Sequence, residues 1–215
     1  MRSPVKNTRP YNAPRRAAAA AQTREAILRA AKHRFEARGW AGTTIAAIGR
    51  DAEVSPKTIE ALFGTKAALL SAVVDFAIRG DVAELPMVRR QAAQAVESAP
   101  DAATMLERHI AHALPITQRS AGIAAVVESA AGTDQRIAKL WKRMTHNRRF
   151  GARWAAETLL QKPDASPDLT VEEAEQVFII AIDWATHRTL STELGLTDAE
   201  IQAWMRRLYQ RMFLK

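Results

Sequence analysis

The side chains best suited to chemistry in this sequence are a run of donors at residues 55–58, Ser-Pro-Lys-Thr. Ser55 is a favourable N-cap, and Pro56 suits the first helical position because the N–H that proline lacks would be unpaired there. The run therefore predicts a helix that carries Lys57 and Thr58 on its first turn. A lysine ammonium can donate to guanine O6 and N7 or to a phosphate, and threonine is a weaker donor of the same kind.

Further donors flank this run. Thr43 and Thr44 are predicted to start the preceding helix, with Thr43 as its cap, where hydroxyls and free backbone N–H groups can hold a phosphate. Lys66 is predicted to start the following helix. Arg15 and Arg16 lie in a basic N-terminal segment that could reach a minor groove or phosphates. The plainer alternatives are a cap without a phosphate role for Thr43 and a solvated tail for the two arginines.

The elements that would position these donors are three short helices. Apolar residues recur every four positions up to Gly39, which predicts a first helix that begins at residue 17 or 22 and ends there. A second helix is predicted at about 44–52 and a third at 55–63. The apolar residues predicted to form their common core are Ile27, Ala31, Phe35, Ile45, Ile48, Ile59, Leu62 and Phe63.

Several motifs in this region resemble a known family. They read Phe35-x3-Gly-Trp, Thr43-Thr-Ile, Ala52-x-Val-Ser-x-x-Thr-Ile and Phe63-x-x-Lys-x-x-Leu. In this order and at these spacings they resemble the N-terminal DNA-binding domain of TetR-type transcriptional repressors, over about residues 22–70. The resemblance implies a helix-turn-helix whose second helix reads bases in the major groove. It implies base-reading roles for the segment after Val54-Ser55, which is residues 56–58, and a DNA-backbone contact for Lys66.

Three positions depart from the family pattern. Glu60 and Leu62 stand where the family usually has the tyrosine and the histidine that contact phosphates. Glu60 would repel a phosphate, so it is expected to point away, to pair with an arginine, or to accept from a cytosine amino group. Glu53 occupies a turn position that often carries glycine, and a left-handed conformation there would cost about 1–2 kcal/mol.

The charge is concentrated at one end of the chain. The 215 residues carry a net charge of +8. Residues 1–21 hold five basic side chains and no acidic one, residues 22–66 hold eight and five, and residues 67–215 are balanced. A basic end on a neutral body indicates an anionic polymer as the partner of that end. There is no cysteine, which excludes disulfides, thiolate catalysis and cysteine-ligated zinc.

The rest of the chain is predicted to be helical as well. Thr170-Val-Glu-Glu and Thr197-Asp-Ala-Glu each fit a capping box at a helix start, and no alternating strand pattern is present. Prolines divide the middle of the chain, with helices predicted at 101–113 and about 119–130, and Pro115 is expected to end or kink the first of these. Further helices are predicted at 66–80, ended by Gly80, and at about 171–193. We expect an all-α protein of about nine helices. It would comprise a disordered basic arm (1–21), a helix-turn-helix DNA-binding domain (22–66) and a larger effector-binding and dimerisation domain (67–215).

In the family that the chain resembles, the large domain holds an apolar pocket, and its last two helices form a dimer in a four-helix bundle. The pocket candidates here are His109, His112, Trp141, Met144, Phe178 and His187. The candidates for the dimer seam are Val177, Ala181, Trp184, Ile201, Trp204, Met205 and Leu208. Each has an alternative interpretation as core within one subunit. His109 and His112 lie three residues apart, but no third ligand is evident, so neither a metal nor a cofactor is expected.

The function implied by the resemblance is sequence-specific regulation of transcription. The expected protein is a cytoplasmic homodimeric repressor that binds double-stranded DNA at a near-palindromic operator and is released by a small apolar effector. An enzyme is not expected, because the sequence lacks a phosphate loop, a nucleophile elbow and a His-Glu-x-x-His pair. No membrane partner is expected either. Two alternatives remain, a DNA-binding protein whose large domain binds a protein, and a sequence-blind nucleic-acid binder.

Overall fold

The computed structural model describes residues 13–82 and 87–214, and the side chains of residues 13–16 and 88 are not part of that description. The described residues form ten α-helices and no strand, which confirms the all-α class. The helices are α1 Ala13–Gly42, α2 Ile45–Asp51, α3 Pro56–Phe63, α4 Lys66–Arg79, α5 Gln91–Glu97, α6 Ala102–Ala131, α7 Gln135–Leu160, α8 Val171–Ala181, α9 Trp184–Arg188 and α10 Asp198–Phe213. A 3₁₀ turn, Met87–Arg89, precedes α5, and a π-helical turn, Thr189–Glu193, follows α9.

Helix α1 begins earlier than the sequence pattern predicts. Residues 13–21 are helical, so the prediction of a disordered arm is wrong for this part of 1–21. Five consecutive alanines at 17–21 explain the difference, because alanine has the highest intrinsic helix propensity. The remainder of the predicted arm, residues 1–12, lies outside the described residues. Gly39 adopts φ 66° and ψ −178°, so the regular helix is interrupted where the sequence predicted its end.

Helix α6 continues through Pro115, so the two separate helices predicted at 101–113 and 119–130 are in fact one. An internal proline removes one backbone hydrogen bond and costs about 3 kcal/mol or more. Burial offsets that cost, because fourteen residues of α6 are buried among its neighbours. The helix predicted at 171–193 is instead broken at Ile182 and Asp183. Asp183 caps α9 by accepting from the Ala185 N–H and forms an ion pair with Arg148.

Two hydrophobic clusters hold the fold together. The first joins α1–α4 to the C-terminal half of α6, the start of α7 and Trp184. The second joins α5, the N-terminal half of α6, the end of α7, α8 and α10. The first cluster crosses the boundary predicted at residue 66, so the N-terminal helices share their core with the larger body. Among the described helices none is by itself long and apolar enough to span a membrane, and α3 with α4 passes only as a pair bent by 72°.

Candidate nucleic-acid interface and interior cavity

The first turn of α3 is exposed and firmly capped, as the sequence predicted. Ser55 Oγ accepts from the Thr58 N–H at 3.1 Å, and Pro56 occupies the first helical turn. Lys57 is exposed at the surface, whereas Ile59, two residues later, is buried in the first cluster. The cap and the buried Ile59 fix the helix, so the position from which Lys57 projects is set before any partner binds.

The hydroxyls of Ser55 and Thr58 pair with each other across this turn. Their oxygens lie 2.9 Å apart, and the Thr58 side chain is half-buried. Each hydroxyl supplies one proton and the mutual hydrogen bond uses one, so one proton of the pair remains for an outside acceptor. The pair can therefore offer a single donor beside the ammonium of Lys57.

Thr43 and Thr44 have different environments. Thr44 is exposed and caps α2, with its side chain accepting from the Ala47 N–H at 3.2 Å. Thr43 is buried, and its hydroxyl donates to the carbonyls of Arg34 and Gly39. The prediction of Thr43 as the cap is wrong, because Thr44 caps α2 and the Thr43 hydroxyl joins α2 to the end of α1. A phosphate contact at the start of α2 stays a prediction. Thr44 alone places a hydroxyl at the exposed helix start.

Lys66 is held within the chain. Its Nζ donates to the carbonyl oxygens of Trp40 at 2.7 Å and Thr43 at 2.9 Å, and it lies 4.0 Å from the centroid of the Trp40 ring. Partial burial lowers the pKa of this amine from its ordinary value. Two of its three N–H donors are therefore committed to joining α4 to the α1–α2 connection, and one remains for the predicted phosphate contact.

The turn between α2 and α3 requires an unusually close approach. A Cβ at Gly49 would lie 2.7 Å from the Val54 carbonyl oxygen, so only glycine fits there without a shift. Glu53 has φ 55° and is, among the described residues, the one non-glycine residue with positive φ. The left-handed conformation considered for Glu53 is therefore present, and this turn retains a local strain that glycine would not have.

The two residues of α3 that depart from the family pattern, Glu60 and Leu62, face solvent. Glu60 is exposed, and Leu62 is 42% exposed, so the prediction of Leu62 as a core residue is wrong. Phe63 faces inward instead and is half-buried against the first cluster. The guanidinium carbon of Arg24 lies over the Phe63 ring, 4.6 Å from the ring centroid. Arg15 and Arg16 belong to the first turns of α1, and their side chains lie outside the described part of the structure.

A cavity of about 540 Å³ lies within the larger body, between α4, α6 and α7 and beside Ile182 and Trp184. His109, His112 and Met144, three of the six predicted pocket residues, line it. None of the other lining residues was predicted for a pocket; they are Asp75, Ile78, Arg79, Met87, Ala93, Ala113, Ile116, Thr117, Asn147, Arg148, Phe150, Gly151, Trp154, Ile182 and Trp184. One signal was available, because Asn147, Arg148 and Gly151 continue the helical face that Met144 begins.

The other three predicted pocket residues lie elsewhere. Trp141 packs against Trp184, with ring centroids 5.8 Å apart, and Phe178 is fully buried in the second cluster. His187 is half-buried on α9. Their placement corrects the predicted lining, because aromatic residues at helical spacing fill the core as readily as a pocket.

His109 is buried where the cavity meets the second cluster. Its ring lies 4.7 Å from Phe178, and Nδ1 is 3.4 Å from the hydroxyl of Tyr209. Burial lowers the pKa of His109 to about 3, and burial also lowers the pKa of His112. Both imidazoles are therefore neutral at pH 7 and can each donate one N–H. The described residues contain no group of three His, Asp or Glu that could hold a metal.

The predicted dimer residues fall into two groups. Ala181, Trp184, Ile201 and Met205 are buried within the single chain, so their prediction as seam residues is wrong. Val177, Trp204 and Leu208 are half-buried. An apolar stripe continues along α10 from Trp204 and Leu208 to Met212, which is 46% exposed, and Ile180 on α8 is 59% exposed. These residues, rather than the buried ones, are available to a second subunit.

The chain is similar to known proteins both in sequence, over its N-terminal helices, and in overall fold. Residues 27–73, which contain α2, α3 and most of α4, match the model of the bacterial regulatory proteins of the tetR family. No curated protein matches the chain.

Solved structures share the fold over nearly the whole chain. A transcriptional regulator from Saccharomonospora viridis in complex with choline has a TM-score of 0.68 at 17% identity, over 90% of this chain and 98% of that one. NalD of Pseudomonas aeruginosa, the secondary repressor of the MexAB-OprM multidrug efflux pump, has a TM-score of 0.68 at 16% identity, with the same coverage. A TetR-family regulator from Rhodococcus sp. has a TM-score of 0.64 at 16% identity, over 89% and 98% of the two chains.

Proposed function

We propose that this chain is a helix-turn-helix regulator that represses transcription from a specific operator, since residues 27–73 match the tetR family model. The observation that carries the proposal is the exposed, capped first turn of α3, from which Lys57 projects. In a helix-turn-helix this turn enters the major groove. Thr44, one donor from the Ser55–Thr58 pair and the remaining N–H of Lys66 are proposed to position α3 on the phosphates.

The operator is proposed to be near-palindromic and bound by a homodimer in the cytoplasm. A twofold dimer places two recognition helices about one turn of DNA apart, so the two half-sites must mirror each other. The proposed contact surface is the stripe Trp204, Leu208 and Met212 on α10, together with Val177 and Ile180 on α8. Support comes from the exposure of Ile180 and Met212, since large apolar side chains at the surface of a subunit are typical of interfaces.

We further propose that a small molecule in the cavity weakens DNA binding. Helix α4 supports this proposal, because Lys66 at its start is bonded to the α1–α2 connection while Asp75, Ile78 and Arg79 near its end line the cavity. Its fourteen residues span about 21 Å at 1.5 Å per residue. A ligand that displaces the end of α4 would therefore move the helices that carry the DNA-contacting groups.

Helix α6 supplies a second link between the cavity and the N-terminal helices. Arg119 donates to the carbonyls of Ala77 and Ile78 at 3.2 Å each, near the end of α4. A Cβ at Gly122 would lie 2.5 Å from a carboxylate oxygen of Glu36 on α1, so α6 and α1 are in close contact. An effector changes DNA affinity only by the difference in its affinity for the two arrangements of these helices.

Two of the similar structures support a repressor that responds to a small molecule. NalD is described as a repressor, and the S. viridis regulator was solved with choline. The test begins with selection of genomic DNA fragments on the purified full-length protein, followed by titration of a selected and a scrambled duplex at physiological salt. We expect the selected site to bind at least about a thousand-fold more tightly, with two chains per site. Equal affinity for both duplexes would contradict the proposal.

A further inference from the structure

The cavity contains charged groups whose hydrogen-bonding capacity is not met within the chain. Among its described lining residues, Asp75, Arg79 and Arg148 carry charge at neutral pH. The Nε atoms of Arg79 and Arg148 are both buried and have no hydrogen-bond partner among the described residues. Buried polar groups in proteins are nearly always paired, and an unpaired donor on a cation is the costliest exception. The two donors therefore have no acceptor among the described residues.

The three charges differ in how far they are already neutralised. Asp75 accepts from Arg143 at 3.2 Å, and Arg148 forms an ion pair with Asp183. No described residue forms a hydrogen bond or an ion pair with the guanidinium of Arg79. Counted with their partners, these five side chains carry three positive charges and two negative ones. Among the described residues, the charged groups at the cavity therefore sum to one excess positive charge, located at Arg79.

One aromatic ring of the lining, that of Trp184, already has a cation of the chain over it. The Arg148 guanidinium already lies over the Trp184 ring, 4.9 Å from its centroid. A ligand cation would compete with this stacking and would also meet the charge of Arg79. The neutral imidazoles of His109 and His112 can each donate or accept a hydrogen bond, so they are compatible with an acceptor, and the two arginines set the preference for one.

The remaining surface of the cavity is largely apolar. Ile116, Met144, Phe150, Trp154 and Ile182 line it, and Phe150 is 62% exposed at the edge. A volume of about 540 Å³ falls within the usual range for sites that hold small organic molecules. A ligand that satisfies both parts of the lining has an apolar body and one anionic end.

We propose that the ligand of this cavity is an amphipathic organic monoanion, a carboxylate whose oxygens accept from Arg79 and Arg148 and whose apolar body lies along Ile116, Met144 and Trp154. As an effector assignment this rests on the proposed regulatory function. It replaces the purely apolar effector expected from the sequence with a charged one. Arg79 is the residue that selects the charge, because its planar guanidinium can bind a carboxylate with two parallel hydrogen bonds.

The test uses probes that differ in the end group alone. 4-Phenylbutyrate, 4-phenylbutan-1-ol and 4-phenylbutylamine are titrated into the full-length protein and followed by calorimetry and by tryptophan fluorescence, to which Trp154 and Trp184 at the cavity contribute. Octanoate, octan-1-ol and octylamine form a second series. The carboxylate of at least one series is expected to bind ten-fold or more tightly than its alcohol, and the ammonium compound most weakly, since charge-assisted hydrogen bonds are the strongest of these contacts.

Variants of Arg79 test whether this residue causes the preference for the carboxylate. Arg79→Gln is expected to remove the preference for the carboxylate, and Arg79→Lys, which keeps the charge but not the planar fork, to retain part of it. Arg207→Gln on the exposed face of α10 makes the same change in net charge away from the cavity and is expected to leave the preference unchanged. Thermal unfolding of each variant, followed by circular dichroism, establishes that the comparison is made on folded protein.

Several results would overturn the inference. These are equal binding of alcohol and carboxylate, tighter binding of the ammonium compound, no binding by either carboxylate, or a preference that survives in Arg79→Gln. The DNA titration is read separately. Specific DNA binding with no carboxylate preference would refute this inference alone. A carboxylate preference that depends on Arg79, without specific DNA binding, would support it as the ligand class of the cavity and refute the proposed function.

Discussion

The helix-turn-helix and the cavity differ in whether their side-chain donors have hydrogen-bond partners within the chain. In the helix-turn-helix, the Thr43 hydroxyl and the Lys66 ammonium are bonded to backbone carbonyls. In the cavity, the Nε donors of Arg79 and Arg148 have no hydrogen-bond partner in the part of the chain that the structure describes. In the helix-turn-helix these groups are bonded mostly within the chain, whereas in the cavity a ligand that supplies an acceptor would add hydrogen bonds. The comparison indicates that the helix-turn-helix is held in one conformation by internal hydrogen bonds, whereas the cavity is suited to bind a ligand.

The two regions also differ in whether a glycine can be replaced by a larger residue. Substitution of one glycine in each region tests this difference, and the first substitution has the largest expected effect on stability. Gly49→Ala would place a Cβ 2.7 Å from a backbone oxygen of the α2–α3 turn. We expect a loss of about 1–3 kcal/mol in the free energy of unfolding, as for other overpacked sites, and weaker DNA binding. Chemical denaturation followed by circular dichroism measures the first effect.

The matched control is Gly151→Ala in α7, at the edge of the cavity, where a new Cβ meets nothing within 4 Å. Alanine is favoured over glycine inside a helix by roughly 0.5–1 kcal/mol, so this variant should be more stable than the parent. Equal destabilisation by both substitutions would show that the α2–α3 turn is no tighter than the cavity wall.

A pH titration tests whether the cavity region contains the expected buried neutral histidine. The pKa of His109 is about 3 in the folded protein, below its ordinary value of 6.5. Above pH 6.5 both folded and unfolded states are neutral. Below it, only the unfolded state binds the proton, so stability falls progressively down to about pH 3. At pH 5 this amounts to about 2 kcal/mol.

The variant His109→Gln removes this group, so its free energy of unfolding should depend less on pH between 6.5 and 5 than that of the parent. His146→Gln, at an exposed position of α7, serves as the control and should follow the parent curve. A parent-like slope in His109→Gln would mean that His109 is not held neutral by burial.

The smallest expected effect concerns the one strained residue of the helix-turn-helix. Glu53→Gly relieves the positive φ of 55°, and we expect a gain of about 1 kcal/mol in the free energy of unfolding, part of which the flexibility of glycine in the unfolded chain offsets. Glu53→Ala removes the same carboxylate but keeps the strain, so it should leave stability nearly unchanged. A larger gain for alanine than for glycine would assign the cost to charge rather than to conformation.

The features that the sequence predicted correctly depend on partners only a few residues apart. Ser55 with Pro56 starts α3, Gly80 ends α4 with φ 81°, and Thr170 and Thr197 form complete capping boxes. Each of these is a local hydrogen bond or a local backbone preference. Residue type and spacing therefore suffice to predict them.

The features that it missed depend on contacts between distant segments. Pro115 does not end α6, because burial on several sides outweighs the lost hydrogen bond. The cavity is lined by residues from 75 to 184 on different helices, and Arg79 is distinguished only by the absence of a partner. The inward position of Thr43 and the outward position of Leu62 follow from how α1, α2 and α3 pack. No periodicity in one segment encodes these relations.

The central claim is that α3 reads DNA through Lys57, and its most direct test compares affinities for a selected duplex and a scrambled one. Lys57→Ala should weaken binding to the selected duplex by about ten-fold to a hundred-fold, the worth of one good base contact. Binding to the scrambled duplex should change far less. Lys142→Ala, at an exposed position of α7, should leave both affinities unchanged. An unaltered ratio of the two affinities in Lys57→Ala would contradict the account.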